Sequence, residues 1–204
     1  EIYLRDATLY AEDMWNTVLE AGKKHNLMVI APAHHRRIAA GILSWGQDID
    51  QETLPFQCNL AYQVPRNKAS DYIGKAALES ARAKIEAGNP PFKLKMVGIS
   101  FGGLPITDYA PDFWLIGKPS GNEAVGYVSS PWYSPELETN IALAWVPVEM
   151  SGTGTALEVW LPDEYTQGLP SNRVAGQVRD VPFRPSVNPN AREVAKTRGL
   201  DYAD

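Results

Sequence analysis

KLKMVGISF, Lys93 to Phe101, is the stretch on which the reading of the fold turns. Val97, Ile99 and Phe101 recur at every second position, the period of a strand with one buried face. Five runs of the same texture follow: FWLIG (113–117), EAVGYVSS (123–130), IALAWV (141–146), ALEVWL (156–161) and RVAGQVRD (173–180). Pro, Gly and Asn punctuate them at the spacing of a sandwich or barrel. The pattern predicts a small antiparallel β-barrel or jelly-roll domain over residues 89–185, entered through the hinge-like GNPPF, Gly88 to Phe92. Beyond it, residues 186–204 are first proline-rich and then charged, and are expected to wrap the surface or stay partly disordered.

Upstream of Gly88 the texture is mixed, which predicts an α+β portion over residues 1–88. Residues 1–5 and LMVIAP (27–32) read as short strands. Asp6 or Thr8 can cap a helix to about Ala21, with Ala11, Met14, Trp15, Val18 and Leu19 on one face and a stop at Gly22. A second helix is expected from His34 to Trp45, burying Ile38, Ile42 and Leu43. A third is expected from Gly74 to Ala87, striped by Ile73, Ala77, Leu78, Ala81 and Ile85, with Arg82 and Glu86 spaced to pair.

The bulk numbers exclude several classes. The chain has 204 residues, 44% of them hydrophobic and 21% charged, and its net charge of -5 leaves no basic footprint for nucleic acid. No apolar run approaches the roughly 20 residues of a membrane span. No leader pattern opens the chain, and the lone Cys58 excludes an internal disulfide, so a cytoplasmic location is expected. The sequence begins inside a strand-like run, which predicts that a further part of the protein precedes it.

Candidates for chemistry are few. His34 and His35 are adjacent, so on a helix they point about 100° apart and cannot chelate one metal together. Cys58 has no histidine near it in sequence and reads as a small buried hydrophobe. SGTGT (151–155) lacks the third glycine of a dinucleotide fingerprint and precedes a strand instead of following one, as a β-turn would. Trp132 and Tyr133 sit between prolines in an expected loop, where they either stack on a flat ligand ring or cover a barrel end. Gln47, Asp48 and Asp50 form an acidic corner whose acids suit Asx turns. Taken residue by residue, this is no self-contained active site.

The order of the pieces resembles the glycine-cleavage T-protein family of folate-dependent one-carbon transferases. That family carries a string R-x-E-x-G-x-x-x-[YW]-G-x-D, matched here by Arg37, Gly41, Trp45, Gly46 and Asp48. Its P-[LF]-E-x-x-L segment is matched by Pro55, Phe56, Gln57 and Leu60, with Gln57 in place of the usual Glu. A third segment is matched by Asp71, Tyr72, Ile73, Gly74, Lys75, Ala77 and Leu78. GYVSSPWYSPELETNIALAWVP and the later VPF resemble the family's C-terminal barrel, so the likeness covers nearly all of residues 1–185. It implies that residues 1–88 are the second half of an α+β folate-binding domain, whose N-terminal half is a missing partner region of the same protein. It implies tetrahydrofolate as cofactor and a small-molecule methyl donor as substrate. Under the resemblance Glu1 would be the carboxylate that binds the pteridine, Trp132 and Tyr133 walls of the folate or substrate channel, and Asp48 scaffold beside it.

One departure narrows the branch. Aminomethyltransferases of the family carry an Ala-Ala-Arg-Asp string whose arginine aligns with Ala33, in Ala31-Pro32-Ala33-His34. The resemblance is therefore to the demethylases, which move a methyl group to N5 of tetrahydrofolate from methoxy-aromatics such as vanillate and syringate or from dimethylsulfoniopropionate. The proline-rich tail favours a methoxy-aromatic donor. The alternatives are the sulfonium enzyme, an aminomethyltransferase, or a non-catalytic folate-binding relative.

Overall fold

The computed structural model describes residues 2–66 and 68–183. The six predicted strands are all present: β1 (Leu94–Phe101), β2 (Trp114–Gly117), β3 (Ala124–Ser134), β4 (Thr139–Pro147), β5 (Ala156–Trp160) and β6 (Arg173–Arg179). They close into an antiparallel barrel in the order β1-β4-β3-β2-β5-β6. Closure removes every sheet edge, so each strand finds two neighbours. Val97, Ile99 and Phe101 point inward, as their period requires, and meet Trp114, Ile116, Val128, Ala142, Ala144, Leu157, Val159 and Val178 in one core. Gly126 is required where β3 passes β4, because a Cβ there would lie 2.1 Å from the Trp145 carbonyl oxygen.

Helices α1 (Ala7–Gly22), α2 (His34–Ala40) and α3 (Lys75–Glu86) fall where the apolar stripes predict. Several local expectations are corrected. Residues 2–5 and 27–32 are not strands: no ladder partner for them exists among the described residues, and an extended run becomes a strand only by pairing. The second helix ends at Ala40 instead of Trp45. Gly41 enters the left-handed region at φ 71°, donating to Ile38 O while Ile42 donates to Arg37 O, a Schellman stop. Arg82 does not pair with Glu86; it donates to the Val64 carbonyl and lies over the Phe56 ring, while Glu86 pairs with Arg66. The acidic partner of Arg82 is outcompeted by a carbonyl and a ring that long-range folding brings within reach.

The chain forms two compact units, one ending at Ala33 and one beginning at His34. The second joins α2 to the barrel: α2 packs on β3 and β4, and Phe183, beyond β6, donates its N–H to Ala39 O at 2.9 Å. The expected tail at 186–204 lies outside the described residues.

Candidate functional site

Three of the buried polar residues, Asp48, Ser129 and Ser130, gather at β3 under the 34–50 segment. After the Gly41 stop the chain makes a second tight turn, with Asp48 N–H donating to Ser44 O and Gly46 N–H to Ile49 O. That turn drives the Asp48 carboxylate inward, where it is 3% exposed. Its Oδ2 accepts Arg37 Nη1–H and the Ser44 N–H, both at 2.8 Å. Its Oδ1 accepts the hydroxyls of Ser129 and Ser130, both at 2.6 Å. The Asp48 main-chain carbonyl accepts the Trp145 indole N–H at 3.0 Å.

Two consecutive serines can reach one carboxylate because β3 bulges here. Val128 pairs with Ala144 and Ser130 with Leu143, so Ser129 has no opposite number and both side chains leave on the outer face. The Ser130 hydroxyl accepts from Arg37 Nη2 at 2.7 Å while donating to Asp48, which closes a ring of guanidinium, hydroxyl and carboxylate. Gln47 braces it by donating to Ser129 O at 2.9 Å. Asp48 thus has all four of its acceptor positions filled, and nothing is left over to take a substrate proton or hold a ligand. Its role is to fasten the 34–50 segment to the barrel.

For Asp48 this corrects the local Asx turn expected from the sequence. Asp48 is buried and ion-paired with Arg37, and its two serine partners lie 81 and 82 residues away, where local spacing could not reveal them. Asp50 does form the expected turn, accepting from Glu52 N–H at 2.9 Å and the Thr53 hydroxyl at 3.0 Å. Gln57 also has a structural place, donating to Leu94 O and accepting from Leu54 N–H.

Trp132 and Tyr133 are in β3, not in a loop. Pro131 read as a breaker, but proline is tolerated next to a bulge. As consecutive strand residues they face opposite ways. Trp132 points outward onto the cluster of Ile38, Ile141 and Leu143. The His34 ring stacks on it at 4.9 Å and 18°, and the Tyr109 ring lies 5.6 Å from His34. Tyr133 pairs with Asn140, whose amide holds the 102–106 loop through Gly102 O, Leu104 O and Ile106 N–H. Glu1, the expected pteridine ligand, lies outside the described residues.

Burial, with Arg37 beside it, lowers the His34 pKa, and Asp48 opposes this only in part. Cys58 is buried with Sγ facing the carbonyls of Leu54 and Pro55, and burial raises its pKa, as suits an inert packing thiol. It borders a mixed polar and apolar pocket of ≈ 120 Å³ shared with Asn59, Met96, Leu143 and Val181. SGTGT is a turn, with Thr155 N–H bonded to Gly152 O. Among the described residues no group of three or more His, Cys, Asp or Glu could hold a metal ion. Nor is any helix there long and apolar enough to cross a membrane. The Asp48 knot is framework, and beside it His34, Trp132 and Tyr109 form an aromatic cluster.

Sequence reasoning passed over Ser129, Ser130 and Trp145. The Ser-Ser step inside an apolar strand was the available signal, since paired small polar residues there mark a bulge.

Comparison with known proteins gives the following. Residues 95–183 match the family model of the glycine cleavage T-protein C-terminal barrel domain. The chain is 32% identical over 163 residues to a dimethylsulfoniopropionate demethylase of Ruegeria pomeroyi, covering 80% of this chain and 41% of that protein. It is 33% identical over 161 residues to an aminomethyltransferase of Symbiobacterium thermophilum, covering 78% and 40%. The crystal structure of the glycine cleavage system aminomethyltransferase T from Bartonella henselae superposes with a TM-score of 0.57 at 24% identity, covering 74% of this chain and 37% of that one, a likeness of fold. The chain thus spans about two fifths of the length of the curated relatives it matches.

Proposed function

From a barrel that belongs to the glycine cleavage T-protein family, we propose that this chain is the C-terminal portion of a tetrahydrofolate-dependent methyltransferase of the demethylase type. The observation that carries this reading is Ala33. It stands where the aminomethyltransferases of the resemblance have an arginine, directly before the helix that Arg37 and Asp48 fasten to the barrel.

Tetrahydrofolate, when bound, supplies the N5 nucleophile that takes the methyl group. The contribution of this chain's own residues is rigidity: a helix and an aromatic pair held against a closed barrel are the kind of support that keeps two reactants in a near-attack pose. The pteridine carboxylate assigned to Glu1 and the remaining pocket are proposed to belong to the N-terminal half.

The donor is proposed on the Ruegeria pomeroyi relative, whose name is that of a sulfonium demethylase. A sulfonium departs as a neutral thioether and asks no acid of the protein, whereas an aryl ether departs as a phenolate and does. The buried carboxylate of this site is fully committed to Arg37, Ser44, Ser129 and Ser130, so an acid for a phenolate would have to come from the N-terminal half. The methoxy-aromatic reading stays as the second, resting on the tail motif VPFRPSVNPNAREVA.

The test is to incubate the intact protein with tetrahydrofolate and, separately, dimethylsulfoniopropionate, vanillate, syringate and dimethylglycine, and to weigh the folate product. The expected result is 5-methyl-tetrahydrofolate with the sulfonium. The same product with vanillate or syringate selects the second reading. A 5,10-methylene product, which requires a donor already at the oxidation level of formaldehyde such as an aminomethyl adduct offered beside dimethylglycine, overturns the weight given to Ala33. Folate binding without turnover moves the protein to the non-catalytic class.

A further inference from the structure

Arg37 carries five N–H donors, and four contacts pin it: Asp48 Oδ2, Ile42 O, Ser130 Oγ and Gln47 Oε1. A guanidinium so held cannot turn away from a neighbour that changes charge. The fifth donor, Nε–H, points at Nδ1 of His34. Because an arginine only donates, Nδ1 must be the acceptor, so the neutral ring carries its proton on Nε2. The same ring lies flat on Trp132, and through it the first turn of α2 rests on β3.

We propose that His34 is a proton-sensitive latch between α2 and β3. Neutral, it accepts from Arg37 and stacks on Trp132. Protonation requires a hydrogen on Nδ1, which turns the one acceptor of the pair into a donor facing a donor and sets two cations side by side. Since Arg37 is anchored, the imidazolium is the group that leaves, and the first turn of α2 lifts from Trp132.

The charged and titratable groups that face His34 come from three elements. Arg37 lies on its own helix and opposes protonation. Asp48, on the following turn, favours protonation but is already shared among Arg37, Ser44 and two serines. The Tyr109 phenol comes from the loop before β2, and β3 presents the indole of Trp132. Burial of the ring and the nearby guanidinium lower the affinity for the proton below the ordinary value of 6.5. The sign follows from linkage: the unfolded chain binds the proton more readily, so the stabilisation from neutral His34 is complete above pH 6.5 and is lost as the pH falls toward the folded value. The latch does not depend on the reaction proposed above.

The experiment is an NMR titration of the histidine rings and tryptophan indoles in the ¹⁵N-labelled full-length protein, with Trp132→Phe used to assign the Trp132 resonance and His34→Phe as the non-titrating stack. The expected result has three parts: an Nε2–H tautomer at pH 8, a His34 midpoint below 6.5, and a Trp132 indole shift that follows the same midpoint. In His34→Phe the Trp132 resonance should stop responding over that range. An Nδ1–H tautomer, a midpoint at or above 6.5, or a Trp132 resonance that ignores His34 or still titrates in His34→Phe would overturn the proposal.

Discussion

α1 and α2 are opposites. α1 is 16 residues long and buries none of them; α2 is 7 residues long and holds Ile38 at 0% exposure. By length and stripe α1 is the better helix, and an isolated helix as short as α2 would not persist in water. What holds α2 is a pair of tertiary anchors. Ile38 packs with Ile141 and Leu143 on the barrel wall, and Arg37 reaches past it to Asp48 and Ser130. On α1, Leu9, Tyr10 and Trp15 stay exposed within this chain, which spans about two fifths of the length of its curated relatives. The lesson is that propensity marks where a helix forms, while side-chain burial decides how firmly it is fixed.

The widest test of this contrast is Asp48→Ala. It strands a buried guanidinium and two hydroxyls, and should cost the second unit about 3–5 kcal/mol, read as a fall in the denaturant midpoint at unchanged m-value. A loss under ~1 kcal/mol would mean that apolar packing alone fixes α2 and the polar knot is incidental. Next in size, Trp145→Phe keeps an aromatic ring but removes the hydrogen bond to Asp48 O and part of a buried indole, and a loss of about 1–3 kcal/mol is expected in the same measurement. The smallest effect should come from Trp15→Ser on α1, within about 0.5 kcal/mol on barrel unfolding because Trp15 is 53% exposed and belongs to the other compact unit. If Trp15→Ser destabilised the barrel as much as Trp145→Phe, the difference between the two helices would disappear.

How much of this was legible beforehand follows the range of the interactions. All six strands were visible from apolar runs and turn residues, but β3 continues to Ser134, through the segment read as a loop. The helix cores were likewise visible, although the stop at Gly41 was read past: a glycine inside a helical pattern announces its left-handed turn only weakly. The expected site was harder to read. Trp132 was noticed as an aromatic with something to do, yet Pro131 hid the strand around it. Asp48 looked like a local turn former, since its serine partners arise from a bulge some eighty residues on.

The sequence by itself determined the barrel's strands and its inward faces, the positions of the three helices, and the family resemblance carried by collinear short motifs. These depend on contacts within a few residues or on a repeating period, and both survive in a linear string. Only the tertiary structure decided that Asp48 is buried and spent, that Trp132 and Tyr133 face opposite ways, and that His34 stands against Arg37 on Trp132. Each of those depends on where the closed sheet brings distant residues together, and on a single-residue bulge that shifts which side chains share a face.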